Sequence, residues 1–368
     1  MFYNHVARKV SDPVQRRIDA LKIGQKMQDL PEELWHKSFR YYVKEDKTRK
    51  GGPNMRLIRL DPDEPSLTVT GYIFNKFVHP YENRYVTVRE AARLQGLPDD
   101  IEFKGSLTST QQQVGNAVPV QLAKAVFQQI CAFATQRGER QLTALSLFCG
   151  AGGLDIGAKQ AGEQGCPIHT KVAIDHWKDA CDTLRGYLGN ETEVVEQDIT
   201  QILDPKAFWK RSSHTEAMPD LIFGGPPCQA FSQAGKQKAL QDPRGMLIFD
   251  YLRFVGEIHP KYFIMENVSN IKSVAGGGLY QDILREMEKM GYHVTADVLC
   301  AADYGAPQKR KRCIFIGVDK RLGRIALPAP THSSDGTRLS LQPYDTVGKA
   351  FEGLPVLGTC SRKGAGTA

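Results

Sequence analysis

Asp220-Leu221-Ile222-Phe223-Gly224-Gly225-Pro226-Pro227-Cys228-Gln229 runs from a short apolar segment into a stiff turn. The apolar residues have the pattern of a buried strand. Two glycines and two prolines then stop it abruptly. Cys228 is thereby displayed just beyond a strand's carboxyl end, where open α/β sheets hold their ligands. A cysteine kept for packing sits more often inside an apolar run, as Cys131 does. Cys228 is therefore read as a nucleophile.

Outward from this strand, short apolar runs alternate with helical periodicity from residue 142 onward. Candidate strands are 143–147, 171–174, 220–223, 262–266, 293–299 and 313–318, with 194–196 as an additional short one. Candidate helices are 154–160, 178–188, 246–258 and 280–290. This rhythm predicts a doubly wound, mostly parallel α/β sheet. Ahead of it, residues 120–134 carry apolar side chains at helical spacing and end in a polar linker, 136–141. Nearer the start, Thr87 followed by Glu90 reads as a capping box for a helix over 87–97. Pro13, behind Ser11 or Asp12 as N-cap, opens a short helix over 14–21. Residues 57–61 and 67–72 read as short strands. The expected organisation is a small domain over 1–109, a large domain over 110–326, and a return to the small domain over 327–368.

The chain has 368 residues and eight scattered cysteines, with no C-x-x-C pair and no Cys/His cluster at zinc spacing. That predicts a reducing, cytoplasmic setting and no metal. No apolar run is long enough to span a bilayer, and no signal peptide is read at the start. The net charge of +7 is unevenly placed: residues 1–60 hold 14 Lys/Arg against 7 Asp/Glu, and the remainder holds 34 of each. Such an excess is either a solvated basic face or a phosphate-contacting surface.

The chemistry-bearing residues fall at predicted strand ends. Phe148-Cys149-Gly150-Ala151-Gly152-Gly153 is a glycine-rich strand-to-helix turn, which lets backbone approach a ligand. No Lys-Ser/Thr follows, as a phosphate loop would require. Asp175 ends the next strand and suits a ribose diol, while also reading as a helix cap. Asp198-Ile199 follows the short third strand, placing a carboxylate within reach of an adenine amino group. Glu266-Asn267-Val268 ends another strand, and a carboxylate there is costly to bury without a partner or a task. Gln308-Lys309-Arg310-Lys311-Arg312 precedes the strand 313–318, and its alternate residues share one face of an extended segment.

On these motifs the sequence resembles the C5-cytosine DNA methyltransferases. Phe148-x-Gly150-x-Gly152-Gly153 resembles their S-adenosylmethionine loop, and Pro227-Cys228-Gln229 their nucleophile motif. Glu266-Asn267-Val268 resembles their base-protonating motif, and Gln308-x-Arg310-x-Arg312 their arginine motif. Arg89-Glu90-x-x-Arg93-Leu94-Gln95-Gly96 and Gln113-Val114-Gly115-Asn116-Ala117-Val118 match two motifs that normally close the family's chain. Here they come first, so the motif order is that of a circular permutation.

The resemblance implies that Cys228 attacks C6 of a flipped cytosine, Glu266 shares a proton with N3, and Arg310 and Arg312 fix the base carbonyl, a phosphate and Glu266. It implies S-adenosylmethionine held by Phe148, Gly150, Gly152, Gly153, Asp175, Asp198 and Ile199. Gly225, Leu247, Asn116 and Val118 would line the same pocket. An aromatic contact after Asp175 falls on His176 or Trp177 and is left open. Residues 232–244 are expected to close over the base, with Gln233 filling the vacated space. Expected partners are duplex DNA and a cognate restriction endonuclease of a bacterial restriction–modification system, with the enzyme a monomer. Transfer RNA as substrate, or a non-catalytic DNA-binding protein, are the competing readings.

Overall fold

The computed structural model describes residues 2–44, 57–71, 76–163, 165–227, 247–335 and 341–357. Cys228, Gln229, Gln233 and the loop 232–244 lie outside the described residues.

Eleven helices are labelled here among the described residues. They are α1 Asp12–Ala20, α2 Lys37–Lys44, α3 Val88–Leu94, α4 Leu107–Asn116, α5 Val120–Gln136 and α6 Gly153–Gly162, followed by α7 Lys178–Leu188, α8 Pro205–Ser213, α9 Leu247–Ile258, α10 Gly278–Lys289 and α11 Val347–Phe351. Seven strands form the central sheet: β1 Leu142–Leu147, β2 Ile168–Asp175, β3 Glu193–Glu196, β4 Leu221–Gly224, β5 Tyr262–Val268, β6 Tyr292–Cys300 and β7 Lys311–Asp319. Their order is β3-β2-β1-β4-β5-β7-β6. The first five are parallel, and β7 runs antiparallel to both β5 and β6. The predicted strands and helices of this region are all present, with ends that differ from expectation by three residues or fewer.

Several elements differ from expectation: α11 falls where no helix was read, and the strand expected over 57–61 is Ile58–Arg59. Helix α8 lies between β3 and β4 and buries Phe208 and Trp209. Helix α4, capped by the Ser106 side chain, precedes the helical stretch expected over 120–134. The strand expected over 67–72 pairs only at Ser66–Leu67, because its partner, Gln308–Lys309, is itself two residues long.

The sheet is covered on both faces. Leu142, Ala144, Leu221, Phe223, Ile264 and Ile316 pack against α5 and α6. On the other face Leu145, Ile222, Phe263, Met265 and Phe315 pack beneath α8, α9 and α10. Helices α5 and α6 approach closely because Gly157 has no side chain, and a Cβ there would lie 2.4 Å from that of Ala123.

The linker between α5 and β1 is pinned at the amino-terminal ends of the central strands β4 and β5. Lys261 Nζ lies 2.6 Å from Glu139 and 3.0 Å from Asp220, and the Tyr262 hydroxyl donates to Glu139 Oε1 at 2.6 Å. The N-terminal and C-terminal segments meet around α3. His5 Nδ1 lies 3.0 Å from Thr87 Oγ1 and Nε2 lies 2.9 Å from the Pro355 carbonyl. Arg93 donates to the Glu352 carbonyl at 2.6 Å. Phe351 stacks on His79 at 5.4 Å. The Thr87–Glu90 capping box is formed, and Glu90 also holds the Arg84 guanidinium at 2.7 and 2.9 Å. Among the described residues no single helix is long and apolar enough to cross a membrane.

Candidate active site

All five parallel strands point their carboxyl ends at one cavity of about 920 Å3. It is lined by Phe148, Gly150, Gly153, Asp175, Asp198, Ile199, Gly225, Leu247, Glu266, Arg310 and Arg312, and from the α4–α5 junction by Asn116 and Val118. Pro226 and Pro227 also line it, bringing the chain to the point where Cys228 follows. Gly152 is not among the lining residues. It caps α6 in a left-handed conformation (φ 83°), and a Cβ there would lie 2.4 Å from Leu184 Cδ1.

The glycine-rich turn is tight at both ends. Phe148 has φ 55°, a left-handed conformation that costs a bulky residue roughly 1–3 kcal/mol. At Gly153 a Cβ would fall 2.4 Å from the Val118 carbonyl oxygen and 2.9 Å from its nitrogen. The turn and the start of α5 are thus in backbone contact, which fixes Asn116 and Val118 beside β1.

Asp175 is held by backbone. Its Oδ2 accepts from Gly150 N at 2.9 Å and its Oδ1 from Trp177 N at 2.9 Å. A carboxylate oxygen has two lone-pair sites, so Oδ2 retains one for a ligand hydroxyl. Exposed His176 lies 3.3 Å from Oδ1, and the hydrogen bond to Asp175 raises its pKa. The capping role considered for Asp175 is indirect: the N-cap of α7 is Trp177, whose N–H Asp175 accepts. Asp198 uses Oδ1 for Thr200 N and Oγ1, at 2.9 and 2.8 Å. Its Oδ2 has no hydrogen-bond partner among the described residues.

Register explains the charged end of the cavity. Arg312 pairs opposite Val268, and Ile314 opposite Glu266, so Arg312 and Glu266 are diagonal neighbours on one face. Arg312 Nε lies 2.7 Å from Glu266 Oε1. Glu266 Oε2 faces Gly225, where an added Cβ would come within 2.9 Å. Asn267 Nδ2 donates to the Pro226 carbonyl at 3.0 Å, fastening the proline turn to β5.

Gln308 and Arg310 share the buried face predicted by alternation, with Lys309 and Lys311 exposed. Gln308 accepts from Val69 N at 2.7 Å and donates to Gln95 Oε1 at 2.8 Å. Arg310 is 2% exposed and donates to the Val69 and Gly115 carbonyls at 2.6 and 2.9 Å. Burial, and then the charge of Arg312, lowers the Arg310 pKa. In this structure its guanidinium groups tie backbone segments together, and only its Nε is left without a partner among the described residues.

Thr68, Val69, Thr70 and Gly71 line the cavity and were not singled out in the sequence. Nothing local marks them, since their partners lie in Gln308–Arg310 and at Gly115. A Cβ on Gly115 would lie 2.2 Å from Gly71 N, so that glycine is what lets the two segments meet. His176 and Trp177 both line the cavity, so the aromatic contact stays divided between them.

A nucleoside-sized pocket with acidic groups at two adjacent strand ends, on a sheet whose seventh strand is antiparallel, is the S-adenosylmethionine-dependent methyltransferase fold. Comparison with known proteins narrows the class. The sequence profile of the C-5 cytosine-specific DNA methylases matches residues 3–132 and 142–349, and the chain belongs to that family. Its methyl donor is S-adenosylmethionine. The Type II methyltransferase M.AquIA of Picosynechococcus sp. is 39% identical over 227 residues, which are 57% of this chain and 88% of that protein. The Type II methyltransferase M1.HphI of Haemophilus parahaemolyticus is 36% identical over 218 residues, which are 59% of this chain and 54% of the relative. The chain thus spans most of the first and about half of the second. The Dnmt2 methyltransferase of S. pombe overlaps 51% of this chain and 54% of its own, at 21% identity and a TM-score of 0.41.

Proposed function

We propose that the protein is a DNA cytosine-5 methyltransferase of the restriction–modification type, acting on a cytosine flipped from a duplex. The observation that carries this reading is the Arg312–Glu266 pair at 2.7 Å, set against Gly225 in the cavity lined by the carboxyl ends of β1–β3.

The residues present fit the donor. Asp175 Oδ2 keeps an acceptor site for a ribose hydroxyl, Asp198 Oδ2 one for an adenine amino group, and Phe148 supplies an apolar wall. Gly150, Gly153, Ile199, Gly225, Leu247, Asn116 and Val118 complete the lining, and Gly152 shapes the turn. When bound, the donor supplies an electrophilic methyl group on a sulfonium.

Cytosine C5 is a weak nucleophile until a thiolate adds at C6. Cys228 makes that bond, and the electron pair of the C5–C6 double bond becomes enamine-like. Glu266, oriented by Arg312, donates its hydrogen bond or proton to N3 and holds the displaced charge. C5 takes the methyl group, whose former bonding pair stays with the leaving sulfur, a base removes the C5 proton, and the Cys228 thiolate departs as the double bond returns and N3 hands its proton back to Glu266. A base inside a duplex cannot reach this pocket, which is why flipping is part of the account. Arg310 anchors the Val69 carbonyl in the cavity wall and faces the flipped base.

Residues 1–109 with 327–368 are assigned to DNA recognition, and 110–326 to catalysis and donor binding. The basic excess in residues 1–60 supports this division. A circular permutation accounts for the motif order. It is supported by the break in the family match between residues 132 and 142, at the linker, and by the meeting of His5 with Pro355. A cognate endonuclease, a monomeric enzyme and a cytoplasmic location belong to the same reading. Bisulfite sequencing of a plasmid from an expressing host tests it: protected cytosines at one short recurrent site are expected, and uniform conversion contradicts it.

A further inference from the structure

Lys76 stands at the start of the short ladder that pairs Phe77–Val78 with Ile58–Arg59. Its Nζ donates to the Thr68 carbonyl at 2.6 Å and lies 4.6 Å from the Phe77 ring centroid. Arg310 holds the next carbonyl, Val69, also at 2.6 Å. Two cations from distant parts of the chain therefore grip consecutive carbonyls of the segment that lines the cavity. Burial, and then the charge of Arg310, pushes the Lys76 ammonium down to about 8.

The charges at this end do not balance. Lys76 lies near enough to Arg310 for the two charges to repel, and the carboxylate beside Arg310, Glu266, is taken by Arg312. Among the described residues Lys76 has no carboxylate within ion-pair distance. Elsewhere in the N-terminal part, Arg84 sits on Glu82 and Glu90, and Arg93 sits on Asp99 at 2.6 Å. Partly buried cations side by side without a counterion are costly, and an arriving anion removes that cost. An ammonium has three donors, and a single acceptor is described for this one.

We propose that Lys76 contacts a phosphodiester of the strand whose base enters the cavity, and so positions that nucleotide at Arg310 and Arg312. The inference rests on the DNA reading of the site and adds a positioning residue from outside the motifs. The ligand chemistry follows from the setting: a compact anion, approached by a point charge, beside Thr68, which lines a pocket sized for a nucleoside.

Lys76→Met and Lys76→Arg in the full chain decide it, with duplex DNA as the probe. For Lys76→Met, KM for DNA should rise about 3- to 10-fold with kcat changed less than about twofold. The slope of log affinity against log salt should become shallower by about 1. Affinity for S-adenosylmethionine should be unchanged, and Lys76→Arg should restore the salt slope. An unchanged salt slope in Lys76→Met overturns the proposal. So does a joint fall in kcat and Tm with the slope intact, which would make Lys76 a prop for Thr68. If the wild-type protein binds duplex DNA without methylating it, the assigned reaction fails, and the binding slope still decides the role of Lys76.

Discussion

Gly225 and Asp155 show how single positions set the chemistry and the stability of this site. A methyl group at Gly225 would press on Glu266 Oε2, the free end of a side chain, rather than on backbone. The fold can accommodate it by turning the carboxylate away. Gly225→Ala should therefore leave Tm almost unchanged while lowering methyl transfer about a hundredfold, the scale of a misplaced reacting group. Steady-state rates beside a melting curve check this. Asp155, in the first turn of α6, is buried, and neither its carboxylate oxygens nor Ser146 Oγ has a well-aligned hydrogen-bond partner among the described residues. Burial pushes its carboxyl up to about 7. A raised carboxyl pKa means the folded state holds the proton more tightly than the unfolded state. Stability then falls as pH rises from about 4 towards 7, and the loss is complete above that. Asp155→Asn removes the titration, so its Tm should exceed the wild type's by several degrees at pH 8, with the gap narrowing towards pH 5. Parallel melting curves test the sign.

At the scale of elements, the joints between motifs matter more than the motifs. The α4–α5 junction reaches the donor pocket only because Gly153 accepts Val118 against its backbone. Gly153→Ala pushes backbone against backbone and should cost about 1–3 kcal/mol. It should also weaken donor binding, as seen by denaturant unfolding with and without S-adenosylmethionine. Strand ends were legible in the sequence because their signals are local: an apolar run, then Gly, Pro or an acid. The Asp204-Pro205 start of α8 was a local signal too, although the helix carries few apolar residues. The direction of β7 was not legible, since the pattern of a buried strand is the same either way. The uses of Gln308 and Arg310 were half legible. Alternation gave their shared face, but their partners Val69, Gln95 and Gly115 come from segments with no sequence mark of their own.

At the scale of the whole molecule, the proposed circular permutation makes two joints the places to test. Glu139, Lys261 and Tyr262 pin the linker between α5 and β1, and His5 meets Pro355 where the first and last described segments come together. Opening the chain within 136–141 and joining the present ends should yield a folded protein with the same melting behaviour, and failure to fold would count against the permutation. The central claim is methyl transfer to cytosine C5 through Cys228, and tritium transfer from labelled S-adenosylmethionine tests it most directly. Wild-type protein should label duplex DNA in preference to transfer RNA, and Cys228→Ser should bind the same DNA without labelling it. Label transferred at a comparable rate by Cys228→Ser, or transferred only to transfer RNA, would contradict the account.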